Sequence, residues 1–409
     1  MRRPAKIRLA GTIAAIPLCV AAATSAFAQG QVLNDQLNLG EIFSEQTLNV
    51  VTVQEGVAAS TSATGNNVDI ASARVDLDVT SNQVNQGAVY GHAVVNASGS
   101  LGASSTVATS AAGNFGNVGS EEATYRGFTV QTNSGAVTAR GQIEGETARA
   151  GDIAMDTQAS GNTQGLWLQN GAAGARISQA NSGDVLADGG AIVQYVSGTS
   201  SISGTATGNH IDVEGANQSA ARVITDQGNT SDLVQASKFA AYGNAYLTDT
   251  STAAMGNNLN ATNTGPLLDV ANHQYNTAYV RSQAETTSYQ FGAANSSAYG
   301  VGNAAVVSNT GAALVLDNVQ TNDGGGVEVI ASAEGHDGYD IGARASAAGN
   351  SVSGYVCGTC GGSMTTSNTQ TNNADISSRA ATTVTGSARS ITSTARAVGN
   401  DAAFYVRSN

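Results

Sequence analysis

The stretch "ARVDLDVTSNQVN", residues 73–85, decides how this chain is read. Val75, Leu77 and Val79 alternate with polar residues, the period-2 signature of a strand with one packed face. Gln83 and Asn85 keep the parity of those apolar residues. Alternate residues of a strand face the same side, so both amides are expected to point into the packed face. A lone buried amide costs about 1–3 kcal/mol for each polar group left unpaired. Amides stacked on identical amides about 4.8 Å above and below can donate to one neighbour and accept from the other. Gln-x-Asn inside a core therefore asks for copies of itself directly above and below.

The copies exist. Related stretches are "FTVQTNSGAV" at 128–137, "ARISQANSGD" at 175–184, "LDNVQTNDGG" at 316–325 and "SNTQTNNADI" at 367–376. Gln-x-Asn places its Asn at 38, 85, 133, 181, 229, 276, 322 and 372, in steps of 46–50 residues. The expected structural ladder comprises Gln83 and Asn85, Gln131 and Asn133, Gln179 and Asn181, and Gln227 and Asn229. It continues through Gln274 and Asn276, Gln320 and Asn322, and Gln370 and Asn372. A second signature, a small-residue run ending in Gly-Asn, places Asn at 66, 114, 162, 209, 257, 303, 350 and 400. It follows Gln-x-Asn by 27–29 residues every time.

Two motifs locked in phase over eight periods mark a repeat architecture, here an all-β, β-helix-like solenoid. One rung per repeat makes a stack of roughly 40 Å and two coils per repeat roughly twice that; spacing alone leaves both open. Gly-Asn is expected to form a turn where positive φ is cheap. The second repeat departs from the parity rule, with Phe128 and Val130 out of phase with Gln131. A bulge is the expected cause.

Composition points the same way. Of 409 residues, 11% are charged and 5% aromatic, with 49 Gly against 3 Pro. Large apolar side chains are too few for an ordinary globular core. The β-branched content is opposite to that of disordered segments.

Residues 1–28 read separately, as a secretory signal peptide. Arg2, Arg3, Lys6 and Arg8 precede the apolar run "GTIAAIPLCVAAA", and Ala26-Phe27-Ala28 offers a small-x-small cleavage signal before Gln29. The run is too short to span a bilayer. Leu18 ahead of Cys19 fits poorly with lipidation at that cysteine. Residues 29–409 form the expected solenoid domain. Without the four basic residues of the leader, 13 basic face 30 acidic residues, a net of −17. No basic patch remains to hold phosphates, so nucleic acid is excluded as a partner.

Cys357 and Cys360 lie in "YVCGTCGG", inside the one enlarged gap between repeat markers, Asn350 to Asn372. The stretch reads as a loop inserted into a standard repeat. One local disulfide suits an exported protein. Free thiols, or a redox pair or half of a four-ligand metal site, are the alternatives.

In a solenoid, equal offsets from the marker stack into one column, so convergent chemistry would recur at one offset. His92, His210, His273 and His336 lie at unrelated offsets, and acidic residues are scattered in the same way. Lys238 is the single lysine after residue 28. A serine elbow, a phosphate loop and a calcium nonapeptide are all missing from the sequence. No catalytic residue, metal or cofactor is expected. Six of the 12 tyrosines (Tyr242, Tyr246, Tyr275, Tyr279, Tyr289 and Tyr299) cluster between 242 and 299. They read as strand aromatics, with stacking on sugar rings as the alternative.

A signal peptide, repeats of about 48 residues marked by "QTN", "TATGN" and "SAAGN", low charge and no active site occur together. The combination resembles the bacterial functional amyloids with curlin repeats. More closely, across 29–409, it resembles the holdfast attachment protein D family of stalked alphaproteobacteria. The resemblance implies a cell-surface protein exported through a curli-like outer-membrane pore, working beside other curlin-like surface proteins. It also implies that an adhesive polysaccharide is tethered to the cell, and it assigns no functional residue. Unpaired edges at the ends of a solenoid favour self-association. A monomeric adhesin binding glycan along one face, and a β-helix enzyme acting on polysaccharide, are the alternatives.

Overall fold

The structure, a computed structural model, describes residues 29–357 and 361–407. The expected signal peptide and Cys360 lie outside the described residues. All regular structure among the described residues is strand. The first rung consists of β1 (Gln29–Asn38), β2 (Ile42–Thr52) and β3 (Gly56–Ala73). The second consists of β4 (Asp76–Asn85), β5 (Val89–Ser100) and β6 (Ser104–Glu121). The third consists of β7 (Thr124–Asn133), β8 (Val137–Ala150) and β9 (Asp152–Gln169).

In the next four rungs the second and third limbs run together as one bent strand. These are β10 (Ala172–Asn181) with β11 (Val185–Ala216), and β12 (Ala220–Asn229) with β13 (Leu233–Asn263). They continue as β14 (Leu267–Asn276) with β15 (Tyr279–Asn309), and β16 (Ala313–Asn322) with β17 (Val327–Cys357). The eighth rung comprises β18 (Ser363–Asn372), β19 (Ile376–Val384) and β20 (Ser390–Arg407).

Every pairing is parallel, between residues 46–50 positions apart. Each repeat is therefore one coil, and eight coils stack to about 40 Å at the usual strand spacing. The first limbs form an eight-stranded sheet, β1-β4-β7-β10-β12-β14-β16-β18. The motif falls in register: Gln83 pairs with Gln36 and Gln131, and Asn85 with Asn38 and Asn133.

Small residues decide the cross-section. Along β6, Val107, Thr109, Ala111 and Gly113 face inward; then the phase flips, and Asn114, Gly116, Val118 and Ser120 face inward. Two consecutive inward residues bend the strand toward the axis at Gly-Asn. That pinch divides the core. On one side, Leu77, Val79 and Ile177 of the first limbs pack against Val118, Leu166 and Ile211 of the third. On the other, Val89, Val137 and Val185 of the second limbs pack against Ala63, Ala111 and Ala159, with Val107 and Ile153 further along.

Two local expectations are corrected. Gly-Asn is not a turn with positive φ; it lies mid-strand, and none of its glycines has positive φ. Glycine is required there by close approach. A Cβ on Gly161 would overlap Asn181 Oδ1 and lie 2.5 Å from the carbonyl oxygen of Gly208. Positive φ instead recurs at the corner before the next first limb, at Arg74, Glu122, Asn170 and Asn217.

Nor is there a bulge at the second Gln-x-Asn of the expected ladder. β7 pairs with β4 and β10 without a register shift. Phe128 points outward, and Tyr125, 2% exposed, supplies the inward bulk. Its hydroxyl end folds over Gly127, where a Cβ would collide with it. Burial pushes the Tyr125 phenol up to about 12.

Candidate functional site

Three amide columns occupy the pinch. In the first, Gln131 Nε2 donates to Gln83 Oε1 at 2.8 Å and Gln179 Nε2 to Gln131 Oε1 at 2.8 Å. The column continues through Gln227, Gln274, Gln320 and Gln370, each donating to the rung before it. In the second, Asn85 Nδ2 donates to Asn133 Oδ1 at 2.7 Å and Asn133 to Asn181 at 2.8 Å. Asn181, Asn229, Asn276 and Asn322 each donate onward, the last to Asn372. The third column runs Asn66, Asn114, Asn162, Asn209, Asn257, Asn303, Asn350 and Asn400, again donating to the following rung.

The second amide proton laces the limbs together. Gln131 also donates to the Thr163 carbonyl at 2.8 Å, within its own rung. Asn114 donates to the Thr132 carbonyl at 2.8 Å, in the rung above. Asn133 donates to the Gly135 carbonyl at 2.9 Å and closes the corner after the first limb. Amides that would each cost about 1–3 kcal/mol if left unpaired are thus satisfied at the pinch.

Lys238 lies inside the stack, 1% exposed. Its ammonium nitrogen donates to Thr157 Oγ1 and to the Asp188 carbonyl, both at 2.6 Å. Gly204 makes room for the stem, since a Cβ there would lie 2.7 Å from Lys238 Cε. Burial pulls the amine down to about 7, against the opposing pull of Asp188 and Asp156. Its position was readable: Val234, Ala236, Lys238 and Ala240 share one parity, and all four are buried.

Outside the pinch the surface is concave, and a groove of about 580 Å³ runs along the first five rungs. Asn67, Phe115, Thr163, His210 and Asn258 stack in register as one wall. Ser62, Ser110, Gln158 and Thr205 form the facing wall. Burial holds the His210 imidazole below its ordinary value, so it is neutral at pH 7 and the groove carries no formal charge.

Residues 51–326 match the family described as holdfast attachment protein D. The chain belongs to that family. The matched span contains six of the eight Gln-x-Asn copies. Holdfast attachment protein D of Caulobacter vibrioides is 59% identical over 69 residues, 17% of this chain and 23% of the relative. The alignment thus takes in less than a quarter of the relative's length. No solved structure matches the chain.

In this member of the holdfast attachment protein D family the histidines form no cluster. His273 meets Asp226 at 2.9 Å on the surface, and His336 meets Asp337 at 2.8 Å. Among the described residues no three His, Cys, Asp or Glu come together as a metal site. Stacking explains why charges are scattered: equal offsets would set like charges one rung apart. Asn82 pairs with Asp35, Asn117 with Asp69 and Asn260 with Asp212 instead.

The six clustered tyrosines disperse. Tyr242 is buried and hydrogen-bonded to Ser200 at 2.6 Å, whereas Tyr279 donates to Glu328 at 2.6 Å. Tyr246 and Tyr289 are exposed at the corner between second and third limbs, where Tyr289 stacks on His336. Tyr275 and Tyr299 lie half-exposed on other faces. Cys357 closes β17, half-buried.

Proposed function

We propose that this protein is exported to the cell surface, where it anchors an adhesive, holdfast-like polysaccharide to the outer membrane. The groove along the pinch carries the reading. It follows the long axis of the stack, as a polymer requires, and presents hydroxyls, amides, small apolar side chains and two rings, Phe115 and His210. Such a lining suits sugar rings. The groove is uncharged at pH 7, so it suits a neutral glycan, which the acidic remainder of the chain does not repel. Family membership supports the attachment role. In this reading the chain leaves through a curli-like pore, associates with other curlin-like surface proteins and forms amyloid-like oligomers.

The test has two arms. A strain lacking the protein is expected to shed the polysaccharide from the cell; unchanged retention ends the anchoring role. The purified protein is expected to bind the isolated polysaccharide, and Phe115→Ala to weaken that binding roughly tenfold, as loss of one stacking contact implies. Equal binding by the variant removes the groove as the contact surface.

A further inference from the structure

The amide columns have a sense. Both asparagine columns donate toward the C-terminal rung, and the glutamine column donates toward the N-terminal rung. Each column therefore ends differently at the two faces of the stack. At the C-terminal face, among the described residues, Asn400 accepts from Asn350 and donates to nothing. At the N-terminal face, again among the described residues, Asn66 donates to Asn114, and its oxygen is left as an acceptor. In the glutamine column the roles reverse: among the described residues, Gln36 accepts from Gln83 and has one amide proton to spare.

The two end rungs are also cut to one pattern. β18, β19 and β20 begin at 363, 376 and 390, and β1, β2 and β3 at 29, 42 and 56. One offset of 334 residues superposes all three limbs, since 363 − 29, 376 − 42 and 390 − 56 agree. It sets Asn372 on Asn38 and Asn400 on Asn66. It also continues the core, with Ile376 over Ile42, Val384 over Val50 and Ile391 over Val57.

Charge supplies an independent observation. Residues 29–73 hold five acidic and no basic residues; residues 363–407 hold four basic and two acidic. The shared offset places Arg379 over Glu45 and Arg389, which also pairs with Asp340 of its own chain, over Glu55; Asp375 over Glu41 is the one like pair it makes.

We propose that copies of this chain stack head to tail and in register, the C-terminal rung of one seated on the N-terminal rung of the next. The occupant of each open sheet edge is a second copy, joined by parallel strand pairing. All three amide columns then continue with donor on acceptor. Two N-terminal faces together would oppose asparagine oxygens and acidic rungs; two C-terminal faces would oppose amide protons and basic rungs. The proposal rests on the self-association named above and adds its polarity and register.

The experiment is a charge swap read by sedimentation velocity on the purified protein, with far-UV circular dichroism as a check on folding. Glu45→Arg and Arg379→Glu should each weaken association roughly five- to tenfold. The double variant, which restores an opposite pair across the same interface, should recover it. Asn400→Asp keeps the oxygen that accepts from Asn350 and removes the outward donor, so it too should weaken association. Full-strength association by both single variants, or failure of the folded double variant to recover, overturns the head-to-tail register. A wild-type protein that stays monomeric at high concentration overturns the underlying self-association instead.

Discussion

Asn133 donates its amide proton to Asn181 across 2.8 Å, although 48 residues of chain separate them. The bond is one step of a column in which each amide satisfies the next. Asn181→Asp replaces a donor with an acceptor facing Asn229 Oδ1 and the Gly183 carbonyl. Its expected cost is about 2–5 kcal/mol, the scale of a buried, unpaired charged group. A lower urea midpoint checks it, with exposed Asn373→Asp expected to leave the midpoint unchanged.

Gly161 and Gly228 separate the two uses of glycine in this fold. Gly161 touches Asn181 and the Gly208 carbonyl, so Gly161→Ala should destabilise by about 1–3 kcal/mol through overpacking. Nothing lies within 4 Å of the position a Cβ would take on Gly228. Gly228→Ala should be neutral or stabilising by up to about 1 kcal/mol. Paired thermal melts of the two variants decide the matter.

Lys238 makes stability depend on pH in a defined direction. Its amine titrates at about 7 in the fold, against an ordinary lysine value of 10.5. Between those values the unfolded chain binds the proton and the folded chain does not, so stability rises with pH. The penalty of the buried charge, on the order of a few kcal/mol, is fully present below pH 7 and relieved toward pH 10.5. Lys238→Met should flatten the rise between pH 7 and 10. Chemical denaturation at several pH values reads it, and an unchanged slope assigns the dependence to other groups.

Much of this architecture was legible because stacking turns sequence distance into spatial distance. The steps between successive Gln-x-Asn motifs are the same 46–50 residues that separate paired strands, and the inward parity of Gln83 and Asn85 followed from Leu77 and Val79. Other features needed the coordinates. A period fixes the repeat but not how often the backbone circles within it, so one coil could not be told from two. Gly113 reads alike whether glycine serves backbone angle or close approach, and only the distance to Asn133 separates the two. The parity rule failed at Phe128 because Gly127 leaves an inward site empty, and Tyr125, two residues earlier, fills it. The opposed senses of the amide columns leave no trace in sequence at all.

The cysteine stretch has a practical consequence. Cys357 ends β17 and Ser363 opens β18, yet Val356 still faces Asn309 and Ser363 still faces Ala313. Extra residues at that corner leave the rungs on either side in step. The corners are therefore where foreign peptides can be spliced in, each displayed at a chosen height along a molecular ruler graduated in single rungs.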